Sequence, residues 1–318
     1  MYESSSGLVN PLSFLLFLGD CMRTTKRFTP KVLERFERQG RGSGTYDLYV
    51  PWHQVGRGDP ASVGRSHLHI WNGRQRHLLS DQELVGLYFI RMLTDVTDCL
   101  EQYRLSIEPS NHPLLDYDQG NPLRLFPGTV GLCLQLGVKH PRTSGDGATA
   151  LWRMSTDFFV VRRGGDGRFN ATAVACKQDA RLPKRKMNLL EVERAYWECR
   201  GIDWLLITPE VFHPAVADNL KTVACWTRHR DTTEQERTFA SKLVELNQFR
   251  SITELIHLLT KHLGSEPQAQ KALWQSVVHG PLSVDLRRPI KFHVPFRLIE
   301  REAFLAYNPI EMRRTSWK

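Results

Sequence analysis

Two short apolar runs, Met154–Val161 ("MSTDFFVV") and Ala171–Asp179 ("ATAVACKQD"), flank a Gly-rich stretch, Arg162–Arg168, and predict a β-hairpin. Period-two alternation puts Asp157, Phe159 and Val161 on one face of the first strand, and Ala173, Ala175 and Lys177 on one face of the second. Upstream, Val85, Phe89, Leu93 and Val96 recur at helical spacing. That helix starts at Ser80, where "SDQE" reads as a capping box with Ser80 as N-cap and Glu83 at the third helical position. Asp98–Ile107 reads as a strand leaving the helix, Asn111–Gly128 as a loop or insertion, and Ser144–Thr149 as a flexible turn. Gly131–Pro141 returns to apolar residues before the hairpin. After it, "NLLEVERAYWECRG" predicts a helix with Leu189, Val192 and Tyr196 on one side, Glu193 and Trp197 beside them, and Gly201 as its stop. "DWLLITPE" follows as a buried strand. The succession helix, three strands, helix, strand predicts a small α/β core.

The flanking regions have their own patterns. Lys26–Ser43 reads as a short basic helix, with a solvated or a DNA-facing charged side. Tyr46–Leu79 reads as an extended arm or hairpin; its His67, His69 and His77 are expected to be polar surface residues, since no third ligand group supports zinc. From Pro214 three helical segments follow, Thr232–Asn247, Ser251–His262 and Glu266–His279, then two strand-like runs, "PLSVDLR" and "IKFHVPFRLI". Three helices and a ribbon predict an α+β winged-helix domain, a module that reads DNA or docks proteins. Lys271 is the sole Lys or Arg of the third segment, which favours docking. The expected division is an N-terminal extension with its basic helix (1–45), a catalytic domain (46–213) and a winged-helix-like domain (214–318).

Composition narrows the partners. The 318 residues are 41% hydrophobic, with 8 Trp and 15 Phe, as packed cores require. A formal net charge of +9 suits a polyanion such as double-stranded DNA. The six cysteines are scattered without a C-x-x-C, so they read as reduced thiols in a cytoplasmic, nucleoid-associated protein. Leu12–Gly19 is the only membrane-like run and is far shorter than a spanning helix needs, so no membrane role is expected. Met22 offers an alternative start.

The chemistry rests on Glu83, Asp157 and Lys177. A carboxylate on a helix, a second on one hairpin strand and a lysine on the other form the layout of a metal-dependent phosphodiesterase. Glu83 and Asp157 would hold Mg²⁺ (or Mn²⁺), a hard ion that takes oxygen ligands and keeps waters. The ion would polarise the phosphate, and Lys177 would orient the attacking water or steady the developing charge. Blander readings stand beside these: Glu83 as a helix cap, Asp157–Lys177 as a salt bridge at a sheet end. Glu193 could face the same region or pair with Arg194 or Lys186 in solvent. Arg181, Lys184, Arg185 and Lys186, directly after the lysine strand, are candidate phosphate contacts, as are Lys139 and His140.

The succession matches the pattern of the restriction-endonuclease-like fold. In order, "YVPWHQV", "GRSHLHIWNGRQRHLLSDQELV", "LEQYRL", "GVKHP", "MSTDFFV" and "LLEVERAYW" resemble TnsA, the endonuclease subunit of heteromeric TnsA/TnsB cut-and-paste transposons. The resemblance covers roughly Tyr46 to Thr208. It implies catalytic roles for Glu83, Asp157 and Lys177, and a further acidic position at Glu193. It also implies Mg²⁺-dependent cleavage at the 5′ ends of the element, a TnsB-like transposase partner acting at the 3′ ends, and a TnsC-like ATPase regulator docked on the C-terminal domain. The family's hairpin glutamine falls on Ala175, which leaves the ligand set one oxygen short. That departure motivates an alternative, a non-catalytic subunit bridging transposase, regulator and DNA. A third reading is a free-standing restriction-type nuclease.

Overall fold

The computed structural model describes residues 27–61, 65–118 and 123–318. The apolar run Leu12–Gly19 and the alternative start Met22 lie outside the described residues, as does the 119–122 part of the expected loop. In chain order the regular elements are α1 (Pro30–Arg38), β1 (His67–Trp71), β2 (Arg74–Leu78), α2 (Asp81–Met92), β3 (Val96–Arg104), α3 (Thr129–Gln135), β4 (Arg142–Gly145), β5 (Ala148–Leu151), β6 (Ser155–Arg163), β7 (Phe169–Cys176), α4 (Lys184–Glu198), β8 (Asp203–Ile207), α5 (Pro214–Thr222), α6 (Glu234–Leu246), α7 (Ile252–Leu263), α8 (Glu266–Val278) and α9 (Arg301–Leu305).

The expected hairpin, β6–β7, is the centre of a four-stranded mixed sheet of order β3-β6-β7-β8. Phe159 pairs with Ala173 across its antiparallel ladder, and Gly164 N donates to the Arg168 carbonyl at 2.8 Å to close the turn. β8 runs parallel to β7, so the chain must cross over between them, and α4 is that crossover. The alternation of β6 and β7 assigns the two faces of the sheet. Phe158, Val160, Val174 and Cys176 join the core that contains α2. Phe159, Val161, Ala173 and Ala175 join the core that contains Leu190, Val192 and Trp197 of α4. Gly86 lets α2 lie close on the sheet: a Cβ there would sit 2.6 Å from Cys176 Sγ.

Outside this unit the outcome is mixed. Ser144–Thr149, expected as a flexible turn, is the middle of the β4–β5 hairpin, where Ser144 pairs with Thr149 and the turn is taken by Asp146 and Gly147 at positive φ. The three C-terminal helices form as expected, with capping boxes at Thr233 and Ser251. The ribbon after them does not extend. Among the described residues the two runs share a single antiparallel bridge, Val284↔Leu298. Pro289 and Pro295 interrupt the intervening stretch, and proline donates no ladder hydrogen bond. Val294 and Phe292 carbonyls instead accept from Ile252 and Thr253 at the start of α7.

The apolar core does not stop at residue 214. Phe89 and Ile90 of α2 belong to one cluster with Val216 and Leu220 of α5, Val244 of α6 and Trp274 of α8. This explains why α2 is buried nearly all round: sheet on one side, C-terminal helices on the other. Polar contacts follow the same seam. Asn308 Nδ2 donates to the Phe89 carbonyl at 2.9 Å, and Arg91 reaches Thr227 Oγ1 at 2.7 Å. Farther on, Ser316 N donates to the Leu206 carbonyl at 2.8 Å and Thr315 Oγ1 accepts from Leu206 N at 3.0 Å, covering the open edge of β8.

His279 lies in this seam with its Nδ1 buried and, among the described residues, without a partner. Burial, and then the Arg230 and Arg91 charges, push its imidazole down to about 3. The unfolded chain therefore binds that proton first, near pH 6.5, and stability is lost as pH falls below that value. We expect His279 to cost about 2 kcal/mol of stability between pH 7 and pH 5. Urea unfolding across that range should show a flatter pH dependence for His279→Gln; an unchanged slope would contradict the assignment.

Candidate active site

The antiparallel β6–β7 pair brings the start of β6 and the end of β7 to one end of the sheet, so Asp157 and Lys177 meet although 20 positions apart in sequence. Lys177 follows the last residue of β7 and extends the parallel pairing, its N–H donating to the Ile207 carbonyl at 3.0 Å. Its ammonium donates to Asp157 Oδ2 at 2.6 Å, and Cys176 N donates to the same oxygen at 2.6 Å. Among the described residues nothing donates to Asp157 Oδ1. The salt bridge expected as the bland reading is thus present, but it faces a cavity of about 300 Å³ lined by His53, Gln102, Asp157, Lys177 and Glu193.

Glu83 reaches the same place from α2. Ser80 Oγ accepts from Glu83 N at 3.2 Å, the first half of the expected capping box, but the carboxylate bends back to Leu79 N at 2.7 Å and not to the Ser80 amide, so the reciprocal half is not formed. Cap and site are one arrangement here. Gln102 Nε2 also donates to Glu83 Oε2, at 2.9 Å. Burial first, and then the negative charge of Asp157, push the Glu83 carboxyl up to about 8. Its response to Asp157 and Lys177 places it in the same electrostatic neighbourhood.

Glu193 is 5% exposed, which excludes the solvent pairing with Arg194 or Lys186 considered from the sequence. Trp204 Nε1 donates to Glu193 Oε1 at 3.1 Å, and Trp317 packs edge-on to Trp204 at 5.4 Å. Burial pushes the Glu193 carboxyl up to about 7, with Lys177 opposing and Asp157 adding to the shift. Arg194 turns outward to Glu191 and Glu198. For Lys177, burial alone would lower the ammonium pKa; Asp157, then Glu193, outweigh it and hold the group charged, well above the ordinary lysine value. Lys177 is therefore a fixed cation with N–H bonds to aim, suited to orient a water or to face developing negative charge on phosphorus.

The donor set is all hard oxygen: the two carboxylates, with Asp157 Oδ1 taking no donor among the described residues. Among the described residues no group of three or more His, Cys, Asp or Glu could cage an ion. Two protein carboxylates beside a cavity apolar over most of its wall, but carrying Gln102, Asp157, Lys177 and Glu193, fit Mg²⁺, which keeps several waters, and do not fit a closed zinc site.

The proposed DNA contacts divide. Arg181, Lys184, Arg185 and Lys186 are all exposed, and the last three occupy the first turn of α4, which has no acidic residue and no side-chain cap. Cations there oppose the helix dipole, and an anion would relieve them. Arg185 acts electrostatically on His140, which puts the 139–140 loop next to the same turn. Lys139 is exposed. His140 is not free: its Nε2 and Nδ1 are within 3.0 Å of Thr129 Oγ1 and the Pro141 carbonyl. The histidines of the arm also differ from surface residues. His67 pairs with Asp81, His77 Nδ1 accepts from Val55 N, and burial with Arg91 pushes His69 down to about 4.

His53 and Gln102 line the cavity yet carried no expectation from sequence beyond their places in "YVPWHQV" and "LEQYRL". His53 stacks on Trp152 at 5.8 Å, and burial pushes its imidazole down to about 4.

The chain is similar to known proteins over part of its length. Residues 94–209 match the family model described as TnsA-like endonuclease N terminal. Asp157, Lys177 and Glu193 fall inside that span and Glu83 before it. Over 203 residues the chain is 32% identical to the transposon Tn7 transposition protein TnsA of Escherichia coli, covering 63% of this chain and 64% of that protein. The chain thus matches a little under two thirds of the relative's length. Among the described residues no helix is long and apolar enough to cross a membrane.

Proposed function

We propose that this TnsA-like chain is the endonuclease subunit of a heteromeric transposase, cutting the 5′ ends of its element in a Mg²⁺-dependent reaction during cut-and-paste excision. The observation that carries this reading is the convergence of Asp157, Lys177 and Glu193 on one cavity, with Glu83 held to its lining residue Gln102 and within electrostatic reach of Asp157 and Lys177. Glu83 and Asp157 would hold the ion, with Mn²⁺ as a substitute. When bound, Mg²⁺ supplies Lewis-acid polarisation of the scissile phosphate. Lys177 donates to the attacking water or to the phosphorane oxygens. Glu193, poised to titrate near neutrality, accepts or returns a proton at Oε1 or Oε2. Arg181, Lys184, Arg185, Lys186 and Lys139 grip the DNA backbone through charge; His140, bonded internally, shapes their loop.

A TnsB-like transposase at the 3′ ends and a TnsC-like ATPase regulator complete the assembly. The three-helix unit α6–α8, without an extended ribbon, supports a docking module for the regulator, and its exposed Leu246 and Phe249 offer apolar surface for one. The test is a strand-cleavage assay with the full chain, partner transposase and end-bearing duplex. Nicks at the 5′ ends are expected with Mg²⁺ or Mn²⁺ and none with chelator. Cointegrate products without metal-dependent nicking would identify the non-catalytic assembly subunit instead. Cleavage without any partner would identify a free-standing nuclease.

A further inference from the structure

We propose that Gln102 supplies the protein oxygen that Ala175 does not, ligating the divalent ion through its carboxamide Oε1 while its Nε2 holds Glu83. The inference rests on the metal-dependent reading above. Three observations carry it, and none is visible in the sequence.

The first is placement. On β3, Gln102 lies between the pairs Glu101↔Phe158 and Tyr103↔Thr156, so it stands across the ladder from Asp157. On the opposite side of Asp157, one step beyond Phe158↔Val174, comes Ala175, whose methyl offers no donor. Asp157 therefore has an amide on one flank and a methyl on the other.

The second is conformation. Gln102 has φ +52 in the interior of a strand, a left-handed conformation that side chains other than Gly, Asn and Asp rarely adopt. Its carbonyl is held there by Trp52 N at 3.2 Å and the Tyr49 hydroxyl at 3.3 Å, both residues buried. Such departures persist where surrounding structure imposes them, and they cluster at active sites and ligand clamps.

The third is an unmet bond. Gln102 is 2% exposed and lines the cavity with Asp157 and Lys177. Its Nε2 is committed to Glu83 Oε2 at 2.9 Å. Among the described residues nothing donates to Oε1. A carboxamide oxygen on a cavity-lining residue, with no donor among the described residues and two carboxylates beside it, suits a hard cation.

The test titrates the full chain with Mn²⁺, without DNA, by electron paramagnetic resonance of free ion. Gln102→Leu keeps the volume and removes the oxygen; we expect binding at least about ten-fold weaker than wild type. Gln102→Glu restores an oxygen with a charge and should bind Mn²⁺ at least as tightly as wild type. If Gln102→Leu is poorly folded by thermal melting, the Glu variant decides alone. Binding by Gln102→Glu weakened ten-fold or more would mean that Gln102 only props Glu83, and overturns the assignment. Wild-type affinity in a folded Gln102→Leu overturns it too. Asp157→Ala separates the underlying reading: loss of Mn²⁺ there with no effect at Gln102 sinks this inference alone, whereas retained Mn²⁺ sinks both.

Discussion

Asp157→Asn and Lys177→Met should each lower 5′-end cleavage by at least about a thousand-fold, the scale of losing a charged group aimed at a phosphoryl transition state. The two should fail differently. Asp157→Asn keeps the bond from Cys176 N but weakens ion binding, because a carboxylate facing the cavity becomes an amide. Lys177→Met leaves Asp157 free to hold an ion, so Mn²⁺ binding survives while the rate is lost. Both variants should still assemble with the partner transposase, read by size-exclusion chromatography on end-bearing DNA. End-labelled substrate on denaturing gels reads the cut. Full excision of the element by both variants would end the nuclease assignment.

Glu101→Ala should be the most damaging change to stability, by about 3–5 kcal/mol, because it strands buried guanidinium charge. Glu101 is 0% exposed and accepts two bonds from Arg74, at 2.9 and 2.7 Å, with Arg76 3.3 Å from Oε2. Burial alone would depress the Arg74 guanidinium, but Glu101 more than offsets it, so the guanidinium is held charged. His77 N also donates to Glu101, at 3.2 Å. This cluster fastens the β1–β2 hairpin to β3 one residue before Gln102, so its loss should also loosen the cavity wall. Replacing all three side chains by apolar ones of similar volume should recover much of the stability, since the desolvation cost disappears with the charges. Urea unfolding of the Ala variant and the triple variant reads both; a Glu101→Ala cost under about 1 kcal/mol would show that water reaches the arginines.

The secondary structure around the site was legible because its signals are local. Ser80 and Glu83 lie one helical turn apart, so "SDQE" predicted the start of α2 and the Ser80 cap, although the Glu83 carboxylate bends back to Leu79 N and not to the Ser80 amide that a full capping box uses. The β6–β7 hairpin was legible for a similar reason: alternation separates Phe158 and Val160 from Phe159 and Val161, and the intervening glycines mark the turn. The C-terminal ribbon was misread because apolar alternation in "PLSVDLR" and "IKFHVPFRLI" says nothing of partners, and Pro289 and Pro295 leave only one bridge.

The sequence by itself determined the order of elements, the two faces of the central hairpin and the residue types able to hold a hard ion. Each follows from interactions spanning a few residues: helix caps, turns and the two-residue period of a strand. Tertiary structure alone decided which polar groups share the cavity. Glu193 is buried against Trp204, His140 is spent on its own loop, and Gln102 is twisted to positive φ across from Asp157. Those outcomes depend on strand register and on low-dielectric packing between segments far apart in the chain, and no local pattern encodes either.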